Sequence, residues 1–292
     1  MRRKAQSAME YLMTYGWAIL IIAVVLGALF QLGVFNSGTF APKAPPGACQ
    51  VFRPDGPGTA TNINFEGICN GELPQYVGVF NGQSSYISIP SSTYLNFGGS
   101  VTLTAWITFN SYAFAANSLN VFSPSSCTGS NYLLRIGGNA GNSQYLEYVE
   151  PCLGAYTSSP YTVPLNTWVF VATSFTNGNN ILFAVDSQQR TVSTSMTLTA
   201  LSGVTYEIGY DFGGGYFSGD ISNVQVYNTS LSANEIQALY LEGIGGAPVR
   251  PQNIVGWWPL NGNSNDYSGN GNNGAPNGLT YTNQWLTGYT PP

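Results

Sequence analysis

The sequence predicts a mainly β protein, a sandwich of short antiparallel strands behind one N-terminal apolar helix. Three observations carry that reading. Short runs rich in β-branched and aromatic residues recur between Gly, Asn, Ser and Pro turns, as sandwich strands do. Only 7% of the 292 residues are charged against 14% aromatic, with 35 Gly and 17 Pro, the composition of a turn-rich surface protein rather than a helical enzyme. And one stretch, between Glu10 and Lys43, carries no charge at all.

That stretch comes first. Tyr11 to Phe35 includes the run Trp17-Ala-Ile-Leu-Ile-Ile-Ala-Val-Val-Leu-Gly-Ala-Leu-Phe30, long enough to span a bilayer. The Arg2-Arg3-Lys4 cluster ahead of it belongs on the cytoplasmic side, which puts everything after Phe35 outside the cell. Beyond that cluster 5 basic residues face 13 acidic ones, so nucleic acid is excluded as a partner. The absence of histidine removes His-based triads and the usual zinc ligands. Four cysteines fall as two local pairs, Cys49 with Cys69 and Cys127 with Cys152, without C-x-x-C spacing. Behind an export segment they read as two disulfides, the alternative being free buried thiols in a reducing compartment.

Residues 36–48, with Pro45, Pro46 and Gly47, form a semi-stiff linker to a head that starts at Cys49. Strands are expected over Tyr76–Phe80, Tyr86–Ile89, Val101–Phe109, Tyr132–Ile136, Trp168–Phe175, Ile181–Val185, Thr205–Ile208 and Ile221–Tyr227. In the third, Val101, Leu103, Ala105, Ile107 and Phe109 alternate onto one core face. Ser232-Ala-Asn-Glu235 is a capping box opening a short helix through Leu241, with Gly243 suited to its end. Ile254 to Leu260, with Trp257 and Trp258 adjacent, is too apolar for a tail. As a strand it should split the two tryptophans between opposite faces.

The succession Phe80-Asn-Gly-Gln-Ser-Ser-Tyr-Ile-Ser-Ile-Pro90, Thr104-Ala-Trp-Ile107, Asn166-Thr-Trp-Val169 and Phe217-Ser-Gly-Asp-Ile-Ser-Asn-Val-Gln-Val-Tyr-Asn228 resembles the laminin G-like, concanavalin A-like jelly roll over residues 76–243. Ile254-Val-Gly-Trp-Trp-Pro-Leu-Asn-Gly and the loop after it look like that family's opening strand, yet stand last here. A circularly permuted single domain, 49–292 with its permuted element at 254–292, is the favoured reading. A truncated second repeat and a strand donated to the next subunit are the alternatives. At the other end, Lys4-Ala5-Gln6-Ser7-Ala8-Met9-Glu10-Tyr11 resembles the class III signal peptide of archaeal type IV pilin-like proteins. The resemblance implies a leader of residues 1–5 cut between Ala5 and Gln6, a retained helix over 6–35, and Glu10 at the mature fifth position as an assembly residue. A carboxylate beside a membrane helix is costly without a partner, and a neighbour's new N-terminal amine would supply one; a plain anchor with Glu10 at the headgroups is the alternative.

Candidate chemistry is sparse. The loop Asn263 to Asn273 concentrates oxygen-bearing side chains, with Asp266, Ser268 and Asn270 as ligands for calcium, which related jelly rolls hold here; an Asn- and Gly-rich turn in which Asp266 binds backbone amides accounts for it equally. Tyr156, Tyr161, Tyr210 and Tyr216 sit at loop tips where rings stack on sugars, although most aromatics in such a sandwich fill the core. Glu147 and Glu150, three apart on a strand, point to opposite faces and fail the facing-carboxylate geometry of a glycosidase, so the expectation is no enzyme. Asn228-Thr-Ser230 is an N-glycosylation acceptor pattern. The expected protein is a cell-surface pilin-like subunit that assembles through its helix into a filament and displays an adhesive head. The alternative is a membrane-anchored glycan- or protein-binding module that does not assemble.

Overall fold

The computed structural model describes residues 15–27, 73–96, 98–110, 118–126, 133–137, 144–150, 155–200, 202–210 and 212–292. Residues 15–27 form helix α1, the described part of the first of two compact units. Its side chains from Trp17 to Leu26 include eight large apolar groups exposed by 48% to 65%. Among the described residues no helix is long and apolar enough to cross a membrane. Ala5, Gln6, Glu10 and the four cysteines lie outside the described residues.

The second unit is a two-sheet sandwich. One sheet holds β1 (Val77–Asn81), β3 (Val101–Thr108), β8 (Val169–Thr176), β9 (Asn180–Val185), β10 (Gln188–Ser193), β12 (Ser218–Tyr227), β13 (Ile254–Trp258) and β15 (Thr280–Thr282). Its order is β10-β9-β8-β3-β12-β1-β15, with β13 also on β12. The other holds β2 (Tyr86–Ile89), β4 (Ser118–Pro124), β5 (Leu133–Gly137), β6 (Tyr145–Glu150), β7 (Ala155–Thr162), β11 (Tyr206–Ile208) and β14 (Ala275–Asn277), ordered β14-β2-β11-β4-β5-β6-β7. Every pairing is antiparallel, so each strand alternates one face inward.

The inward faces make the main core. Val101, Leu103, Ala105 and Ile107 of β3, with Phe109 just past its end, meet Ile87, Ile89, Phe122, Ile136 and Tyr206 of the facing sheet. The other face of the eight-stranded sheet is buried as well. There Trp106, Phe170 and Tyr227 pack under α2 (Ala233–Leu241), whose Ile236 and Leu239 are buried, and under Ile244, Trp257 and Trp285. The capping box forms as the sequence implies: the Ser232 N–H donates to Glu235 Oε2 (2.8 Å), and the Ser232 hydroxyl accepts from the Glu235 N–H (3.4 Å).

The C-terminal segment belongs to its own sandwich. β1 occupies the edge of β12 at residues 218–221 and β13 the same edge at 224–227. The change of partner coincides with a bulge in the β12–β3 ladder, where Asn223 adopts φ +51°, a left-handed conformation asparagine tolerates better than most residues. Asn223 uses the position fully. Its Nδ2 donates to the Gly246 carbonyl (2.8 Å), and its Oδ1 accepts from Trp257 Nε1 (2.8 Å). The adjacent tryptophans divide as alternation requires, Trp258 into the main core against Phe122 and Trp257 into the outer cluster.

Candidate functional site

Because α2 and the C-terminal segment cover the outer face of the eight-stranded sheet, a ligand face must be sought on the other sheet. Its non-core face is polar. Ser88, Glu207 and Ser123 align across β2, β11 and β4, and Asn120, Arg135, Glu147 and Ser158 align across β4 to β7. Glu147, only 3% exposed, accepts from Arg135 Nε (2.8 Å) and from the Ser158 hydroxyl (3.3 Å). A carboxylate so buried is stable only when paired, and Arg135 on the neighbouring strand supplies the pair.

This polar strip holds a loop in place. Asn120 Nδ2 donates to the Gly215 carbonyl (3.1 Å), and the Ser123 hydroxyl donates to the Tyr210 carbonyl. The Phe217 N–H closes the loop on the Gly209 carbonyl (2.8 Å). Gly209 has φ +84°, and a Cβ there would overlap the Phe80 ring, so the turn is built for glycine. The consequence is aromatic convergence. Tyr210 and Tyr216 lie with ring centroids 4.4 Å apart, and Tyr86 of β2 joins them at 5.4 and 6.4 Å. All three are half-buried, so part of each ring faces solvent.

The structure thus unites two of the four expected tyrosines and separates the others. Tyr161 is partly buried against the main core, its hydroxyl donating to the Gln189 carbonyl (3.3 Å), while Tyr156 stands exposed on β7. Tyr86 was hidden within a strand motif. The signal that finds it is alternation: Ile87 and Ile89 face the core, so Tyr86 and Ser88 face out.

Asp266, Ser268 and Asn270 do come together, though as a hydrogen-bonded turn. Asp266 Oδ1 accepts from the Trp257 N–H (3.0 Å) and the Ser268 N–H (2.8 Å), and Oδ2 from the Asn272 N–H (2.8 Å) and the Ser268 hydroxyl (2.9 Å). Asn270 Nδ2 turns its donors to the Ile254 carbonyl (3.1 Å) and the Ser268 hydroxyl (3.0 Å). A hard cation needs oxygen lone pairs free to converge on it, and both oxygens of Asp266, the one carboxylate of the loop, already accept from N–H and O–H donors. As built, the loop is a hydrogen-bonded turn.

With the geometry established, comparison decides the family. The laminin G-type profile of the concanavalin A-like lectin/glucanases superfamily matches residues 81–237, more than half of the chain. The chain belongs to this superfamily. The match ends before β13. No curated protein matches the chain. Among solved structures it resembles a candidate carbohydrate-binding protein from Bacteroides ovatus, with TM-score 0.54 and 20% identity, over 72% of this chain and 60% of that protein's length. It also resembles a heptameric SAP-like pentraxin from Limulus polyphemus, with TM-score 0.46 and 17% identity over 60% and 86% of the two chains. A third is domain 4 of an extracellular arabinanase from Geobacillus stearothermophilus in complex with arabinotriose, with TM-score 0.44 and 13% identity over 56% and 75%. The first likeness shows a shared fold.

Proposed function

We propose that this lectin/glucanase-fold head recognises a glycan, and that Tyr86, Tyr210 and Tyr216 form the sugar-stacking surface. The observation that carries the reading is their convergence at half-buried positions beside a strip of Ser, Asn and Glu side chains. Aromatic faces bind the apolar faces of sugar rings while polar neighbours orient the hydroxyls. Hydrolysis is not part of the proposal. Glu147 is held by Arg135, and Glu207 lies three strands away, roughly 14 Å at the usual strand spacing. That is wider than the separation of about 5–9.5 Å that glycosidase carboxylates need.

A glycan array probed with the full chain in mild detergent tests the reading, followed by titration of the best hit. Tyr210→Ala and Tyr216→Ala should each weaken binding about tenfold or more while leaving the melting curve close to wild type. A chain that binds no glycan, or whose binding both substitutions leave intact, refutes it.

The exposed apolar surface of α1 supports a second element, that the helix seats in a bilayer or against other copies and carries the head outside the cell. Under the pilin-like reading, chains in purified surface filaments begin at Gln6, and Glu10→Ala impairs assembly. An N-terminus beyond Phe35, or protein found only as a membrane monomer, sinks that element and leaves glycan recognition standing.

A further inference from the structure

We propose that Asn228 is an N-glycosylation site, an inference that rests on the proposal that the head lies outside the cell. The chain contains 28 Asn and 52 Ser or Thr among 292 residues, and a random order of that composition gives about five Asn-x-Ser/Thr patterns. It contains one, Asn228-Thr229-Ser230. A chain that meets a glycosylating enzyme keeps acceptor patterns only where a glycan is tolerated, and the structure shows that this place qualifies.

Asn228 directly follows β12 and is exposed. Its Oδ1 accepts from Asn253 Nδ2 (3.0 Å), and its own Nδ2 makes no hydrogen bond among the described residues. The fold therefore uses the oxygen and leaves free the atom that glycosylation requires, so the Asn253 contact survives modification. The Ser230 hydroxyl, the group an acceptor must offer, is also without a partner among the described residues and borders a polar cleft of about 350 Å³. The backbone here is tied down: the Asn228 N–H donates to the Asn253 carbonyl (3.0 Å), and the Thr229 carbonyl accepts from the Thr102 hydroxyl (2.8 Å). Transfer must accordingly precede closure of β12 against β3 and β13. In that step the Asn228 amide nitrogen attacks the anomeric carbon of a lipid-phosphate-linked oligosaccharide. The carbon–oxygen bond to the lipid phosphate breaks, the lipid phosphate leaves, and the amide proton passes to a base of the transferase. Asn228 and Tyr216 flank opposite ends of β12, a ten-residue strand spanning roughly 33 Å, so a glycan at Asn228 leaves the tyrosine surface open.

The test is mass spectrometry of the full chain from its native host. Cleavage after Glu207 and Glu235 yields a 28-residue peptide that carries Asn228. It should bear a glycan, fragmentation should place the glycan on Asn228, and both Asn228→Gln and Ser230→Ala should abolish it while Ser230→Thr preserves it. An unmodified Asn228 in protein that surface labelling finds outside the cell overturns the proposal and spares the export reading. Protein found only inside overturns both.

Discussion

Replacing Asp266 by alanine measures what the loop after β13 contributes. The carboxylate accepts three backbone N–H groups and one hydroxyl within 2.8–3.0 Å, and two of the amides belong to the buried residues Trp257 and Asn272. Charge-assisted hydrogen bonds contribute about 1.5–3 kcal/mol each, and the remaining two donors belong to Ser268, which is fully buried as well. Counting only the Trp257 and Asn272 amides gives a lower bound of about 3 kcal/mol on the loss. For a domain of this size that lowers Tm by about 6–12 °C, read by tryptophan fluorescence during thermal unfolding. Asp266→Asn keeps Oδ1 but must turn an amide group toward the Asn272 N–H, so it should lose about half as much. Calcium at about 1 mM should shift neither variant nor wild type, whereas a site with a Kd of about 10 μM would add about 2.7 kcal/mol. A wild-type Tm that climbs several degrees with calcium and falls with chelator, or an alanine variant that loses less than about 1 kcal/mol, refutes the assignment of these donors.

Three further outcomes follow from the same coordinates. Burial pushes the Asp220 carboxyl up from 3.8 to about 6, so the folded state keeps a proton that the unfolded chain releases, and stability falls as pH rises through that window; Asp220→Asn should remove the fall and stabilise the fold at pH 7 by about 1 kcal/mol after allowance for solvent screening, read as a raised Tm. Gly209→Ala combines a strained φ with overlap against Phe80, and should cost about 2–3 kcal/mol and disturb the Tyr210–Tyr216 pair, seen as lowered Tm together with lost glycan binding. Ser232→Ala removes the α2 cap and should cost about 1 kcal/mol in urea unfolding, with Arg250 still paired to Glu235.

Strands that bury one clean face were readable. The observed β2 has the expected bounds, β3 stops one residue short of the expected Phe109, and α2 begins at the capping box. Among the strands that escaped notice, the central β4 has its alternation broken by a bulge that leaves the adjacent Val121 and Phe122 both buried, and the edge strands lack that contrast. β10 is Gln-Gln-Arg-Thr-Val-Ser at a sheet edge, β7 carries Pro160, and β14 is the exposed tripeptide Ala-Pro-Asn. Edge strands need only one hydrogen-bonded side and tolerate proline and polar residues, so their pattern resembles that of a loop. In the same way the Glu147–Arg135 pair joins residues twelve apart whose meeting depends on the β5–β6 register, which periodicity alone does not give. The tyrosine surface was half legible. Tyr210 and Tyr216 lie six apart in a Gly-rich loop, but their union with Tyr86 requires β11 to pair with β2 across more than a hundred residues of chain.

The same topology explains how the strand Ile254–Trp258 can stand last in the chain and still complete the sandwich. β12 offers one continuous edge, and β1 and β13 share it in sequence, with Asn223 at the bulge between them. Whatever the chain order, the apolar strand Ile254–Trp258 finds the same groove, because what seats it is Trp258 in the core, Trp257 against Asn223, and the ladder to Val224–Tyr227. Chain order changes only the loops that lead there, whose closure cost varies slowly with length. Arriving last, the segment runs on to add β14 beside β2 and β15 beside β1, and then lays Trp285 under Trp168, whose Nε1 donates to the Trp285 carbonyl (2.8 Å). These additions extend both sheets at the β1–β2 side and seal the outer face of the eight-stranded sheet. With that face closed by α2 and the C-terminal segment, the proposed recognition falls to the half-buried tyrosine cluster of Tyr86, Tyr210 and Tyr216 beside the other sheet.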